Sequence, residues 1–257
     1  MLDDAQIETA LRSRSRFQLL QHVASCRSTQ ELAAASPRDA SGTFVEGVFW
    51  ADHQSHGRGR QQREWHDEPG ADLAVTFRVR QPLPEPLALP AALPVVVAEA
   101  CASHLARAPR IKWPNDLLVD GRKLSGVLVD AGGLGPDTYL IGIGINCNRT
   151  CFPADLEATA TSLALAAGHT VDRGRLLVEV AVLLDRALEA MATGATEGLL
   201  RSYRTGLGLL GQRVRVGIAA AAGVDSVQEG VLTAIDFTTL ELDGGRRLAL
   251  GMVRSLR

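Results

Sequence analysis

The chain has 257 residues, a formal charge of −2 and 46% hydrophobic residues. That length can bury a large core and leaves room for one large domain plus a small one. The charge gives no electrostatic case for nonspecific nucleic-acid binding, and no apolar run is long and clean enough to span a bilayer.

The N-terminal MLDDAQIETALRSRSR lacks the basic-then-apolar order of a signal peptide. Residues 3–14 are expected to form a short amphipathic helix with Ile7 and Leu11 on one face. Too few residues precede the first motif for a winged-helix or helix-turn-helix module with its own core. Phe17 to Val23 reads as a strand, and Ser28 or Thr29 can cap a helix running through Ala35. Ser41 and Gly42 mark a turn before a second strand from Phe44 to Ala51. A glycine- and arginine-rich loop, HQSHGRGRQQREW, covers His53 to Trp65. Leu73, Val75, Phe77 and Val79 then alternate with Ala74, Thr76 and Arg78, as a strand would.

After the QPLPEP linker, an alanine-rich apolar stretch from Leu89 to about Arg107 predicts a buried helix, with Pro90 and Pro94 suited to its first turns. Ile111 to Trp113 is extended, as a residue before proline should be. Leu117 to Val119 and Val127 to Val129 read as strands, with a hairpin signal at Asp120-Gly121. Tyr139 to Asn146 is a further strand, whose Gly142 and Gly144 mark places where a ligand or another backbone can come close. Asp172 can cap a helix with Leu176, Val180, Leu184 and Met191 on one face, and a shorter helix is expected from Glu197 to Tyr203. From Gly208 onward short strands and tight turns, such as Asp243-Gly244-Gly245, predict a small β-barrel of near-neutral charge, with a loose loop at the alanines of 219–222.

Residue usage singles out Arg110 to Asp130. Lys112 and Lys123 are the only two lysines of the chain; arginine supplies the other 25 cations. Asparagine is nearly as restricted: it occurs at Asn115, Asn146 and Asn148. Lysine is a compact point charge on a flexible stem, whereas arginine is a rigid fork. The loop Gly57-Arg58-Gly59-Arg60 joins backbone freedom to fixed positive charge, a combination that suits carboxylate or phosphate. It is neither a P-loop nor a dinucleotide fingerprint, since Gln62 stands where the third glycine would be. These cations, the asparagines and Asp116 together suggest an anionic substrate, a nucleotide and Mg²⁺, with Asp116 the metal partner. Trp65 is either a platform for a base or a core anchor. Cys26, Cys101, Cys147 and Cys151 form no CxxC pair and read as free thiols of a cytoplasmic protein; the histidines lack HExxH spacing, so no zinc site is expected.

In these motifs the chain resembles the biotin protein ligases. The resemblance runs from about Phe17 to the end and is carried by GRGR…W at 57–65, KWPND at 112–116, RKLSG at 122–126 and GIGIN at 142–146. It implies an α+β fold: a mixed-sheet catalytic domain with flanking helices, like that of class II aminoacyl-tRNA synthetases, over 1–207, and an SH3-like barrel over 208–257. It implies a two-step reaction in which biotin and ATP give biotinyl-5′-AMP, and a lysine of a biotin carboxyl-carrier protein then takes the biotin. By the same resemblance Ser28, Thr29, Gln30 and Gln54 surround the biotin ring, and Gly57, Arg58, Gly59 and Arg60 cover the carboxylate and adenylate. Lys123 is the main electrostatic catalyst, assisted by Arg58 and Arg60. Lys112, Asn115, Asp116 and Asn146 face phosphates and metal, Trp65 faces the adenine, and Gly126 and Gly144 lie against the ligands. Gln30 departs from the usual Ser-Thr-Asn triplet, and Gln61-Gln62 from the usual Arg-Gly. The resemblance leaves room for a homodimer and, with the short N-terminus, implies the form without DNA binding. A lipoate ligase and a biotin-responsive binding module are the alternatives.

Overall fold

The computed structural model describes residues 1–36, 45–131, 134–219 and 226–257. The turn expected at Ser41-Gly42, the start of the strand expected from Phe44, and alanines 220–222 lie outside the described residues.

Helix α1 (Asp4–Arg14) starts on a capping box: the Asp3 carboxylate accepts from Gln6 N, and the Gln6 side chain accepts from Asp3 N. Ile7 and Leu11 form its buried face. Strand β1 (Leu19–Val23) runs parallel to β2 (Gly47–Ala51), with α2 (Thr29–Ala35) between them in sequence. Antiparallel pairing then continues through β3 (Leu73–Arg80), β7 (Thr138–Ile145), β6 (Arg122–Ala131), β5 (Asp116–Val119) and β4 (Arg110–Lys112). The result is a seven-stranded mixed sheet ordered β1-β2-β3-β7-β6-β5-β4.

Strand alternation gives this sheet two different faces. Leu73, Val75, Phe77 and Val79 join Ile141, Ile143 and Ile145 in the main core. Helix α1, α3 (Leu89–Ala102), α5 (Arg173–Thr193) and α6 (Glu197–Leu207) pack with one another and complete that core. The other face carries Ala74, Thr76, Arg78, Gly142 and Gly144. Helix α2 covers it only at the β2–β3–β7 end, over a small cluster of Ala33, Phe49 and Leu140. Arg78, 1% exposed, secures α2 by donating to the carbonyls of Ala33 (2.9 Å) and Ser36 (3.1 Å) at its C-terminal end. The rest of this face is left open for a site.

Several boundaries differ from expectation: β1 starts at Leu19, two residues late, and α6 runs past Tyr203 to Leu207. Helix α3 ends at Ala102 because the amides of His104 and Leu105 drop back to carbonyls three residues earlier. Strand β6 begins at Arg122 because it pairs with both β5 and β7. The short α4 (Leu163–Ala167), capped by Ser162, was not expected. Helix α5 has the expected Asp172 cap, whose carboxylate accepts from Arg175 N at 3.1 Å. No helix among the described residues is long and apolar enough to cross a membrane.

Helix α6 stops at Gly208, which takes a left-handed φ of 61°. There follow β8 (Arg213–Ile218), β9 (Ser226–Ile235), β10 (Thr239–Leu242), β11 (Arg246–Ala249) and β12 (Val253–Leu256). They form a five-stranded antiparallel sheet ordered β11-β10-β9-β8-β12. Its Val214, Val216, Leu232, Leu240 and Leu256 belong to the same buried cluster as the large sheet's core. The end of the last strand, residues 254–257, lines the same cavity as Gly142 and Gly144 of the open face.

Candidate active site

The open face holds a pocket of about 330 Å³ that crosses the sheet from β3 to β4. At the β3 end its wall is neutral and polar. Ser28, 1% exposed, is the N-cap of α2; its hydroxyl oxygen accepts from Gln30 N at 3.3 Å. Thr29 donates from both its amide (2.9 Å) and its hydroxyl (3.1 Å) to Gln54 Oε1, and accepts from Thr76 Oγ1 at 2.9 Å. Gln54 is held in turn through its backbone N, which donates to the Asp67 carboxylate at 3.1 Å; His53 Nδ1 is also 3.1 Å from that carboxylate. With its oxygen committed to Thr29, the group Gln54 can offer a ligand is its amide N–H. Cys26 bridges to Gln54, and burial pushes its thiol up to about 11, so it stays protonated.

The floor is glycine. Gly142 and Gly144 of β7 and Gly126 of β6 are in the lining. The close approach expected there is made by side chains of this chain itself. Gln30 Nε2 lies over Gly142, 2.7 Å from where a Cβ would stand, and donates at 3.4 Å to the carbonyls of Leu128 and Leu140. The longer amide in the Gln30 position thus spans two strands of the floor. Trp65 lies over Gly144 and Gly126.

Trp65 ends the glycine–arginine loop, which folds as a small hairpin. Trp65 N donates to Gly57 O at 2.9 Å and Gly59 N to Arg63 O at 2.8 Å. Gln61 at its tip has φ 55°, a left-handed conformation that costs a non-glycine residue about 1–2 kcal/mol. Gly57 thus acts through its backbone and is not itself in the lining, whereas Arg58, Gly59 and Arg60 are.

At the β4 end the wall is charged. Lys112 and Asp116 pair across β4 and β5, and Asn115 Nδ2 donates to Val127 O at 2.6 Å. Lys123 Nζ lies 2.7 Å from Asp116 Oδ1 and 5.5 Å from the centre of the Trp65 ring. Arg60 reaches toward Asn115 Oδ1 at 3.4 Å. Burial pushes the Arg60 guanidinium below its ordinary value; Asp116 opposes that shift and Arg254 adds to it.

Asn146 stands apart from the expected arrangement. It is 4% exposed and outside the lining; its Nδ2 donates to the carbonyls of Lys123 (3.3 Å) and Thr161 (2.9 Å). Lys123 N donates to Thr159 O at 2.7 Å, and Thr161 N donates to Lys123 O at 2.9 Å. Asn146 therefore fixes the backbone from which the key lysine projects. Behind the loop, Asp72 accepts from the amides of Glu68 and Cys147, both at 3.0 Å, and sits 3.0 Å from Arg149. Its burial outweighs these partners and pushes its carboxyl up to about 6.

Sequence reasoning missed Arg254 to Arg257 of the last strand, which close the charged end of the pocket. No local signal could have found them, because they lie about 130 residues beyond Lys123 and reach it only through the fold.

For a divalent cation, Asp116 is the carboxylate beside the lysines, and no cluster of three His, Cys, Asp or Glu able to hold a metal occurs among the described residues. One carboxylate plus phosphate oxygens and water is an ordinary Mg²⁺ environment, so the residues fit that ion.

The arrangement joins neutral hydrogen-bonding groups to a cationic wall across one glycine floor. It can bind a ligand that is polar and uncharged at one end and anionic at the other, and can bring a second anion to the same place. Residues 24–148 match the model of the biotin/lipoate A/B protein ligase family. The biotin–[acetyl-CoA-carboxylase] ligase of Mycobacterium tuberculosis is 31% identical over 204 residues, covering 76% of this chain and 73% of that protein. The bifunctional ligase/repressor BirA of Bacillus subtilis is 33% identical over 218 residues; the match covers 80% of this chain and 66% of that longer protein. Among solved structures, the biotin protein ligase of Aquifex aeolicus in complex with biotin and ATP superposes with a TM-score of 0.75 at 25% identity, covering 94% of this chain and 99% of that one. The chain therefore belongs to the biotin/lipoate A/B protein ligase family.

Proposed function

We propose that the chain is an ATP-dependent biotin–protein ligase. The observation that carries the reading is the single pocket whose lining joins the neutral, polar Ser28, Thr29 and Gln54 to the cations Arg58, Arg60, Lys112 and Lys123 over one glycine floor. In the first step a carboxylate oxygen of biotin bonds to the α-phosphorus of ATP and the bond to the β-phosphate oxygen breaks, releasing pyrophosphate. In the second, a lysine amine of a carboxylase carrier protein attacks the acyl carbon of biotinyl-5′-AMP, loses a proton, and displaces AMP.

Two anions must meet in the first step. Lys123 and Arg60 offset their repulsion and stabilise the charge on the transferring phosphate, and fixed charges in a partly desolvated site do this without reorganising. Asp116 holds the Lys123 ammonium in place beforehand. Mg²⁺, held by Asp116 and phosphate oxygens, would neutralise the polyphosphate. Residues 1–207 would carry activation, and 208–257 would close the charged end through Arg254. The free thiols support a reducing cytoplasm as the working compartment.

The test is direct detection of the adenylate. The purified chain incubated with Mg·ATP and biotin should yield biotinyl-5′-AMP by mass spectrometry. Adenylate formed from lipoate or octanoate but not from biotin would replace the substrate, and none from any acid would leave a binding module.

A further inference from the structure

A second cleft, of about 410 Å³, opens beside the reaction pocket between β4, β5 and the last residues of the chain. Ile111, Leu118, Leu209 and Leu256 give it apolar walls, and Arg107, Arg110, Lys112 and Arg257 give it cations; Asp120 is the one carboxylate side chain in its lining. The chain as a whole is negative, at −2, so this positive excess is local. Lys112, Trp113, Leu256 and Arg257 line both cavities, so the two are neighbours that share a wall. Arg110 is fixed on the rim by donating to Leu207 O at 3.0 Å, whereas Arg107 is exposed.

We propose that this cleft is the docking groove of the acceptor protein, which lays in it an acidic, partly apolar segment flanking its target lysine. The inference rests on the ligase reading above. A lysine amine reaches only about 6 Å from its own Cα, by ordinary bond lengths, so the acceptor's main chain must sit at the mouth of the reaction pocket. A groove beside that mouth supplies the seat. A negatively charged enzyme repels an acidic partner over most of its surface, and a local cationic rim selects the productive approach.

The test is steady-state biotinylation of the apo carrier domain of an acetyl-CoA carboxylase, with biotin-dependent pyrophosphate exchange measured in parallel on the same preparations. Arg107→Glu should raise the KM for the carrier at least about fivefold at low salt while leaving exchange unchanged. The difference should shrink at high salt, as screening requires, and Arg107→Lys should stay near wild type. An unchanged carrier KM in both Arg107→Glu and the Arg107→Glu/Arg110→Glu double variant would overturn the proposal. So would an altered sedimentation coefficient with normal carrier KM, which would assign the groove to a second copy of this chain. Wild-type exchange without transfer to the carrier would also count against it, whereas no wild-type exchange at all would overturn the ligase reading itself.

Discussion

Replacing Gly144 by alanine tests whether Trp65 really sits on the glycine floor. Gly144 lies mid-sheet, paired with Ala74 on one side and Gly126 on the other, so its backbone has little room to yield. A Cβ there would stand 2.5 Å from Trp65 Cζ2 and 2.9 Å from Cδ2. Ordinary carbon contacts are about 3.5–4.0 Å, so the rigid indole would have to move by roughly 1 Å. Overpacking of this kind costs about 1–3 kcal/mol. If that cost falls on the seating of the glycine–arginine loop, kcat/KM for adenylate formation drops about 5- to 150-fold, as the same range of coupling energy implies. Gly126→Ala is a milder test of the same seat. Its Cβ would be 3.3 Å from Trp65 Cζ3 and from Lys123 Nζ, so the indole need move only a few tenths of an ångström and Trp65 emission should change less than in Gly144→Ala. Tryptophan emission, read as the difference from Trp65→Phe in each background, reports the seat independently of activity. Unchanged Trp65 emission and unchanged kinetics in Gly144→Ala would refute this placement of the indole.

Three further outcomes follow from the same geometry. Lys123→Ala removes the ammonium 2.7 Å from Asp116 and should slow adenylate formation by roughly 10²–10³, the usual loss of one preorganised donor; near-normal single-turnover rates would remove Lys123 from the chemistry. Asn146→Ala leaves the buried Thr161 carbonyl without its side-chain donor and should cost about 1–3 kcal/mol in denaturant unfolding, with a loss of activity through a displaced Lys123; full stability would contradict the backbone-joint role. Asp72 carries a folded-state value raised to about 6 from 3.8, so the stability it contributes is greatest below pH 3.8 and is lost as pH rises through 6. On lowering pH from 7 to 5, wild type should therefore gain on the order of 1 kcal/mol relative to Asp72→Asn; parallel pH profiles of the two proteins would contradict the raised value.

The helices and strands were legible where one physical signal dominated. The alternation at 73–79, the Asp172 cap and the Asp120-Gly121 turn all act locally, and each produced the element expected. Restricted use of lysine located the charged end of the pocket, because a chain built on arginine keeps the flexible point charge only in the β4–β6 region. What stayed hidden depended on distance along the chain. Asn146 reads as a ligand from its motif, yet the fold turns its amide onto the carbonyls of Lys123 and Thr161. Gly142 and Gly144 announced a close approach without saying that Gln30 and Trp65 would make it. Arg254 enters the pocket only because the fold brings the last strand of the five-stranded sheet back to it. Helix α3 ended early because fraying to tighter hydrogen bonds is a matter of tertiary context, which alanine-rich composition does not encode.

On the ligase reading, one cationic face brings a carboxylate and a nucleoside triphosphate together for reaction. Incorporation of labelled pyrophosphate into ATP by the purified chain measures this most directly, since it requires reversible adenylate formation and no acceptor. Exchange should depend on biotin and Mg²⁺ and be lost in Lys123→Ala. Exchange that proceeds equally without biotin, or none with every component present, would contradict it.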